Sequence, residues 1–282
     1  MSQRGGWAEA RHLGGSLPEV LRSLAGGTLY GETWGDGPPA VMALHGWGRT
    51  HADFAASLGP DSSPHPDPAP GQLSTVAPDL PGFGATPAPP EAWGSVQYAA
   101  AVARLLDEVV GPRPGPGLVL VGHSLGGRVA VRLAAARPEL VRALVLTGAP
   151  LIPRAGRARR PPAAYRVARA MHRAHLVGDA RMDRARQRYG SADYRAAQGV
   201  MRDVLVRLVN ERYEDALAAL DCPVELVWGD DDPDVPVESA RALAGSIAGA
   251  NLRLCPGAGH LLPLTAPAEL RGAVDRALAR AS

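Results

Sequence analysis

Gly122-His123-Ser124-Leu125-Gly126-Gly127 stands between an apolar run, Leu118-Val119-Leu120-Val121, and the stretch Arg128-Val129-Ala130-Val131-Arg132-Leu133-Ala134-Ala135-Ala136. The first flank predicts a buried strand and the second a helix, so the six residues form a sharp strand-to-helix turn centred on Ser124. A turn that lifts a hydroxyl above a strand end crowds the backbone two residues to either side. Glycine at 122 and 126 removes that crowding and tolerates unusual backbone angles. A serine at the start of a helix also faces free N–H groups, which favour developing negative charge. Ser124 is therefore the candidate nucleophile.

Outward from this turn the chain alternates strands and helices. Upstream, Thr28–Trp34 predicts a strand, Gly35-Asp36-Gly37 a hairpin turn, and Ala40–Leu44 a strand covered on both faces. Leu17–Leu24 predicts a short helix, with Pro18 in its first turn. His51–Leu58 predicts another, and Ser74–Asp79 a further strand. The Pro-rich stretch Gly59–Gly71 is expected to be a flexible surface insertion. Val102, Leu105, Leu106 and Val109 fall at helical spacing within Val96–Val110. Downstream come a strand at Ala143–Thr147, a strand at Val224–Trp228, a helix at Val237–Ile247, a strand at Asn251–Cys255 and a closing helix at Ala266–Ala281. Short apolar strands alternating with helices imply an α/β fold, a mostly parallel sheet flanked by helices. Sites in such sheets lie at the carboxyl ends of the strands. The loops after Leu44 and Pro78 and the turn at Ser124 all fall there.

Between Pro150 and Asp215 the alternation stops. Ala163–Leu176 predicts a helix, and Ala197, Val200, Met201, Val204, Leu205, Leu208 and Val209 mark one amphipathic face. This segment holds 15 Arg against 7 acidic residues, about +8, which leaves about −6 for the remainder. The expected organisation is a core of residues 1–149 and 216–282, with residues 150–215 inserted after the strand at 143–147 as a basic helical cap.

Composition sets the outer limits. The 282 residues are 46% hydrophobic and 21% charged, with a net charge of +2, so nothing in the whole chain argues for a nucleic-acid partner. All 30 basic residues are Arg. No apolar run of about 18 residues predicts a membrane span, and no apolar core near Met1 predicts a signal peptide. The expectation is a cytoplasmic protein with no membrane partner. Cys222 and Cys255, each before a Pro, are expected to be buried small residues rather than a disulfide. His172 and His175 lie three apart on a predicted helix without a carboxylate or Cys at ligand spacing, so no metal is expected. No phosphate-binding or dinucleotide loop is present, so no cofactor is expected.

A serine hydroxyl needs a base, and the base a carboxylate to hold it. After Ser124 the chain offers an acidic loop, Gly229-Asp230-Asp231-Asp232-Pro233-Asp234-Val235-Pro236, at one strand exit. His260 follows at the next, in Gly257-Ala258-Gly259-His260. Together with His45-Gly46-Trp47-Gly48 and Asp79-Leu80-Pro81-Gly82-Phe83-Gly84, these motifs resemble the α/β-hydrolase superfamily with a cap, from about Thr28 onward. The resemblance implies Ser124 as nucleophile, His260 as base and then acid, and Asp232, in competition with Asp230, Asp231 and Asp234, as the orienting carboxylate. It implies the backbone N–H groups of Trp47 and Leu125 as the oxyanion hole, with no cofactor. His45 is expected to brace the oxyanion loop, Asp79 to order its own turn, and His123 to pack beside the nucleophile. The activity implied is hydrolysis of a small-molecule carboxylic ester through an acyl-enzyme; the basic charge of residues 150–215 adds the expectation that anionic esters are attracted. C–C bond hydrolases, perhydrolases and acyl transferases share the same residue set. A ligand-binding receptor on this scaffold is the non-enzyme alternative.

Overall fold

The computed structural model describes residues 22–62, 73–110, 117–153, 163–189 and 191–280. Eight strands form one sheet: β1 (Arg22–Leu24), β2 (Leu29–Trp34), β3 (Val41–Leu44), β4 (Thr75–Asp79), β5 (Leu118–His123), β6 (Val141–Thr147), β7 (Val224–Gly229) and β8 (Asn251–Cys255). Their order is β1-β2-β4-β3-β5-β6-β7-β8. The β1–β2 and β2–β4 pairs are antiparallel; every other pair is parallel.

The helices are α1 (Ala55–Leu58), α2 (Ser95–Val110), α3 (Leu125–Ala136), α4 (Ala163–Arg173), α5 (Asp179–Tyr189), α6 (Ala192–Ala196), α7 (Val200–Leu208), α8 (Glu214–Ala218), α9 (Val237–Ser246), α10 (Leu262–Thr265) and α11 (Pro267–Arg280). Strand alternation sorts the apolar residues onto two faces. Met42, Leu44, Leu120, Leu144 and Leu146 join the core under α2 and α3, with Val102, Leu105, Val129 and Leu133. Val41, Ala43, Val119, Val121 and Val145 join a second core with Phe54, Leu58, Leu270 and Val274 of the opposite layer. Burial on both faces is why these strands read as unbroken apolar runs.

The strand order places the site. From β3 the chain moves to β4 on one side, then returns to β5 on the other, so the exit loops of β3 and β5 diverge above adjacent strands. Such a switch point opens a crevice at the carboxyl edge of the sheet. In register, Leu44 stands opposite Gly122 and His123 opposite Thr147, which brings His45 and the Ser124 turn to the same height.

Several expectations change. Arg22–Leu24 is a strand paired to β2, not the end of a helix; Leu17–Leu21 lies outside the described residues. Gly35-Asp36-Gly37 turns the chain but closes no hairpin, because β4 takes the place between β2 and β3. In the Pro-rich stretch Pro60–Ser62 forms one helical turn, and residues 63–71 lie outside the described residues. Between β6 and β7 the described residues hold five helices, α4 to α8, of which α5 and α6 carry too little apolar periodicity to be predicted from sequence. The helix expected from Ala163 stops at Arg173, and His175, at φ 57°, turns left-handed just beyond it. The amphipathic helix starts at Val200, after Gly199 at φ 51°, so Ala197 precedes it. Both cysteines are free thiols, Cys255 buried and Cys222 half-buried.

Candidate active site

Ser124 joins β5 to α3 with φ 50° and ψ −107°. A non-glycine residue in that region costs on the order of 1–3 kcal/mol, and the surrounding contacts hold it there. The Ser124 N–H donates to the Thr147 carbonyl at 3.0 Å, and the Gly126 N–H to the His45 carbonyl at 3.0 Å. The glycines are required by approach rather than by φ. A Cβ on Gly126 would collide with the Leu44 carbonyl oxygen, and one on Gly122 would lie 2.6 Å from the Gly127 Cα. The turn is thus clamped between the ends of β3 and β6.

The loop after β3 lies directly beside it: a Cβ on Gly46 would be 3.3 Å from the Ser124 Cβ. His45 is fully buried and braces this loop. Its Nε2 accepts from the Leu80 N–H at 2.8 Å, which leaves Nδ1–H to donate to the Gly46 carbonyl at 2.7 Å. Burial pushes its pKa down to about 4, so the imidazole is neutral at physiological pH, as this hydrogen-bond pattern requires. Asp79 accepts from the Ala85 N–H and from both the backbone N–H and the ring of His51, ordering its own turn and tying it to the β3 exit loop. Burial works against the charge, but those hydrogen bonds prevail, and its pKa falls below the usual carboxylate value. Gly126 has committed its N–H to His45, while Leu125, as the first residue of α3, has an N–H with no intrahelical partner.

At the other side of the crevice, the loops after β7 and β8 are stitched together. The Asp231 N–H donates to the Ala258 carbonyl, and Asp230 accepts from the Gly257 N–H. Buried Asp232 takes N–H groups of Asp234 and Val235 on Oδ1, each at 2.8 Å, and presents Oδ2 to His260 Nδ1 at 2.8 Å. The Asp230 carboxylate and the Asp231 backbone thus serve loop closure, and Asp232 is the carboxylate on the His260 ring. For His260, burial lowers the pKa, but the hydrogen bond and charge of Asp232 outweigh it, with Asp234 and Asp193 adding to the rise. The net pKa is above the ordinary value for His.

The two halves meet through His123. Its Nε2–H donates to the His260 carbonyl at 2.9 Å, with the ring centroids 5.0 Å apart. Burial, then the His260 charge, pushes the His123 pKa down to about 4. Gly148, at φ 57°, closes the same space; a Cβ there would be 2.9 Å from His260 Cε1. Sequence reasoning finds His123 as a neighbour of the serine but not as the residue that supports the loop bearing His260. Asp193, on α6, is a further group near His260 that no motif signals.

The helices after β6 dock on this edge. Trp47 stacks edge-on to Phe83 at 5.0 Å and packs against Tyr194, Ala197 and Leu205. The Met201 side chain fills the space over Gly82. His172 pairs with Asp179, and His175 has left the helix, so the two histidines do not share one helical face.

Residues 41–273 match the sequence profile described as the alpha/beta hydrolase family. The chain is 32% identical over 256 residues to a pimeloyl-[acyl-carrier protein] methyl ester esterase of Chromobacterium violaceum, covering 82% of this chain and 91% of that one. It is 40% identical over 114 residues to the lipase LipV of Mycobacterium tuberculosis, 39% of this chain and only 37% of that protein. Among solved structures it resembles an esterase of Thermogutta terrifontis with a TM-score of 0.62 and 21% identity, covering 93% of this chain and 98% of that one. That last likeness is one of fold.

Proposed function

Since the chain belongs to the alpha/beta hydrolase family, we propose that it is a serine hydrolase of small-molecule carboxylic esters. The observation that carries the proposal is the convergence at one sheet edge of the strained Ser124 turn, the Gly46-Trp47 loop and the His260–Asp232 pair at 2.8 Å. Relatives with esterase and lipase names add support. Ser124 Oγ attacks the ester carbonyl while His260 Nε2 takes its proton. Asp232 holds Nδ1–H and stabilises the imidazolium that forms. The oxyanion is held by the N–H groups of Trp47 and Leu125. His260 then protonates the departing alcohol. A water, deprotonated by the same ring, cleaves the acyl-enzyme and restores Ser124.

Residues 150–215 act in this proposal as the cap, over a core of residues 1–149 and 216–282. The packing of Trp47 on Tyr194, Ala197 and Leu205, and of Met201 over Gly82, favours that division. Val204 and Leu208, both buried, dock the cap; half-buried Val200 and Met201 pack against the same core and present their remaining exposed surface to substrate.

A fluorophosphonate probe should label the wild type covalently and leave Ser124→Ala unlabelled. Turnover of p-nitrophenyl esters should fall about 10⁴-fold in the variant, because nucleophile and base act as a unit. A folded variant that keeps more than roughly a tenth of the activity would rule out Ser124. Labelling without turnover of any ester in a panel of graded chain length would favour a binding protein over an esterase.

A further inference from the structure

Helix α4 is amphipathic with its apolar side turned outward. No residue of α4 is buried. Tyr165, Ala168 and His172 are partly covered; Ala163, Val167, Ala170, Met171 and Ala174 lie along the open side, within about a third of the helix circumference at 100° per residue. Val167 is 57% and Met171 38% exposed. The helix end extends this stripe. The Leu176 N–H donates to the Met171 carbonyl at 2.8 Å, and the His175 N–H to the His172 carbonyl at 3.0 Å, with His175 left-handed at φ 57°. That is a Schellman closure, which turns the residue after the left-handed one back toward the last helical turn. It brings Leu176, 71% exposed, toward Met171.

Charge identifies what this stripe faces. Arg166, Arg169 and Arg173 follow one edge of it at the same helical spacing. In sequence, Arg154, Arg157, Arg159 and Arg160 immediately precede the helix, and no acidic residue occurs between Pro150 and Gly178. Among the described residues, Arg166, Arg169 and Arg173 make no ion pair, unlike Arg186 with Asp183 on α5. An outward apolar stripe edged by Arg166, Arg169 and Arg173, in a stretch of sequence that carries no acidic residue from Pro150 to Gly178, is the pattern of a helix that lies in an anionic lipid interface. In such a helix the apolar side enters the headgroup boundary and the basic residues meet lipid phosphates. This is distinct from spanning: no helix among the described residues is long and apolar enough to cross a membrane.

We propose that α4 is a peripheral docking element for anionic membrane surfaces. The proposal stands apart from the esterase reading, since it uses no residue of the candidate active site.

Co-sedimentation with phosphatidylcholine vesicles, with and without about 30 mol% phosphatidylglycerol, tests it. The full chain should pellet with the anionic vesicles and remain in solution with the neutral ones. Val167→Ser with Met171→Ser should weaken partitioning at least about tenfold, since two exposed apolar side chains no longer enter the interface. Arg166→Glu with Arg173→Glu should abolish it. Both variants carry only surface changes and should keep the wild-type circular dichroism spectrum and wild-type activity on a neutral water-soluble ester. Wild-type protein that stays in solution with anionic vesicles would overturn the proposal. So would undiminished binding of the Val167→Ser, Met171→Ser variant, which would reduce the attraction to charge alone. A concentration-dependent dimer that the same double variant abolishes, with no vesicle binding, would assign the stripe to self-association instead.

Discussion

At the scale of single residues, the acidic loop after β7 makes the sharpest prediction. Four aspartates occur within five positions, yet it is the Asp232 carboxylate that meets the His260 ring. Asp232 alone combines two N–H donors on one oxygen with the His260 ring on the other. Asp232→Asn should cost on the order of 10⁴ in kcat, because the amide favours the wrong imidazole tautomer. Asn at 230 or 231 should cost far less: Asp230→Asn acts through the loop contact to the Gly257 N–H, and Asp231→Asn leaves the backbone bond to Ala258 in place. Asp234, whose charge also raises the His260 pKa, should shift the pH profile without silencing the enzyme. A severe Asp231→Asn beside a mild Asp232→Asn would reverse this assignment. The pH dependence follows from the same pair. The base must be neutral to accept the serine proton, and the folded-state pKa of His260 is raised. So kcat/KM should rise with pH through a midpoint above about 6.5. In the residual activity of Asp232→Asn the raising partner is gone while burial remains, so that midpoint should move down; a midpoint that does not move would deny Asp232 its role. Ser124, His260 and the loop holding Asp232 were legible in the sequence because each is bound to a short motif of fixed spacing. The support of His260 by His123, Gly148 and Asp193 was not. Those contacts join positions 67 to 137 residues apart, and no local pattern encodes a distance of that kind.

At the scale of elements, two glycines with opposite surroundings test how the turn is built. Gly126→Ala would drive a methyl group against the Leu44 carbonyl, a backbone atom that cannot swing away. It should prevent folding or separate the β3 exit from the Ser124 turn, with loss of activity at least as large as that of Ser124→Ala. A methyl group on Gly245, in α9, would meet nothing within 4 Å, and the residue has no left-handed φ. Gly245→Ala should raise stability by about 0.5–1 kcal/mol, the helix-propensity difference, seen as a higher denaturation midpoint with unchanged activity. A neutral Gly126→Ala would show that the clamp between β3 and α3 is looser than its geometry. The same element scale separates what periodicity could predict from what it could not. Parallel strands buried on both faces announced themselves as apolar runs, and α2, α3 and α11 as helices. The edge did not: β1 has three residues, only Leu24 of them buried, so its strand state comes from pairing with β2 and not from its own pattern. Gly35-Asp36-Gly37 carries a hairpin composition, but pairing is decided by the whole sheet, which inserts β4 beside β2. In α5, Arg and Asp outnumber apolar side chains and only Met182 is buried, so this helix owes its place to packing on α4 and α6.

At the scale of the whole molecule, charge and burial act over longer distances. Buried His45 and His123 both have pKa values pushed down to about 4. As pH falls below about 6.5 the unfolded chain takes up protons that the folded one refuses, so stability should decline between about pH 6.5 and 4, by on the order of a few kcal/mol in all. Thermal denaturation across that range checks the sign; a midpoint that stays level would contradict it. The division between residues 150–215, at about +8, and a remainder of about −6 carries the second expectation. Part of this segment's positive charge is committed to structure. Arg207 donates to the Ala92 carbonyl, Arg202 to that of Ala197 while lying over Tyr194, and Arg186 pairs with Asp183. Within this segment, the carboxylate of Asp193 is the charge that raises the His260 pKa. Contact with an anionic substrate therefore falls to few of these arginines, but attraction at a distance needs only the net field of the segment. That field is screened as the Debye length contracts from about 10 Å at 0.1 M salt to about 3 Å at 1 M. For a carboxylate-bearing ester kcat/KM should fall several-fold over that range, chiefly through KM, while a neutral ester of matched size should change little. Because Asp193 opposes the attraction locally, Asp193→Asn should steepen the anionic ester's preference at low salt and leave the neutral ester as it was. Equal salt responses of the two esters would confine the cap to a steric part in substrate choice and leave Arg166, Arg169 and Arg173 to whatever surface α4 meets.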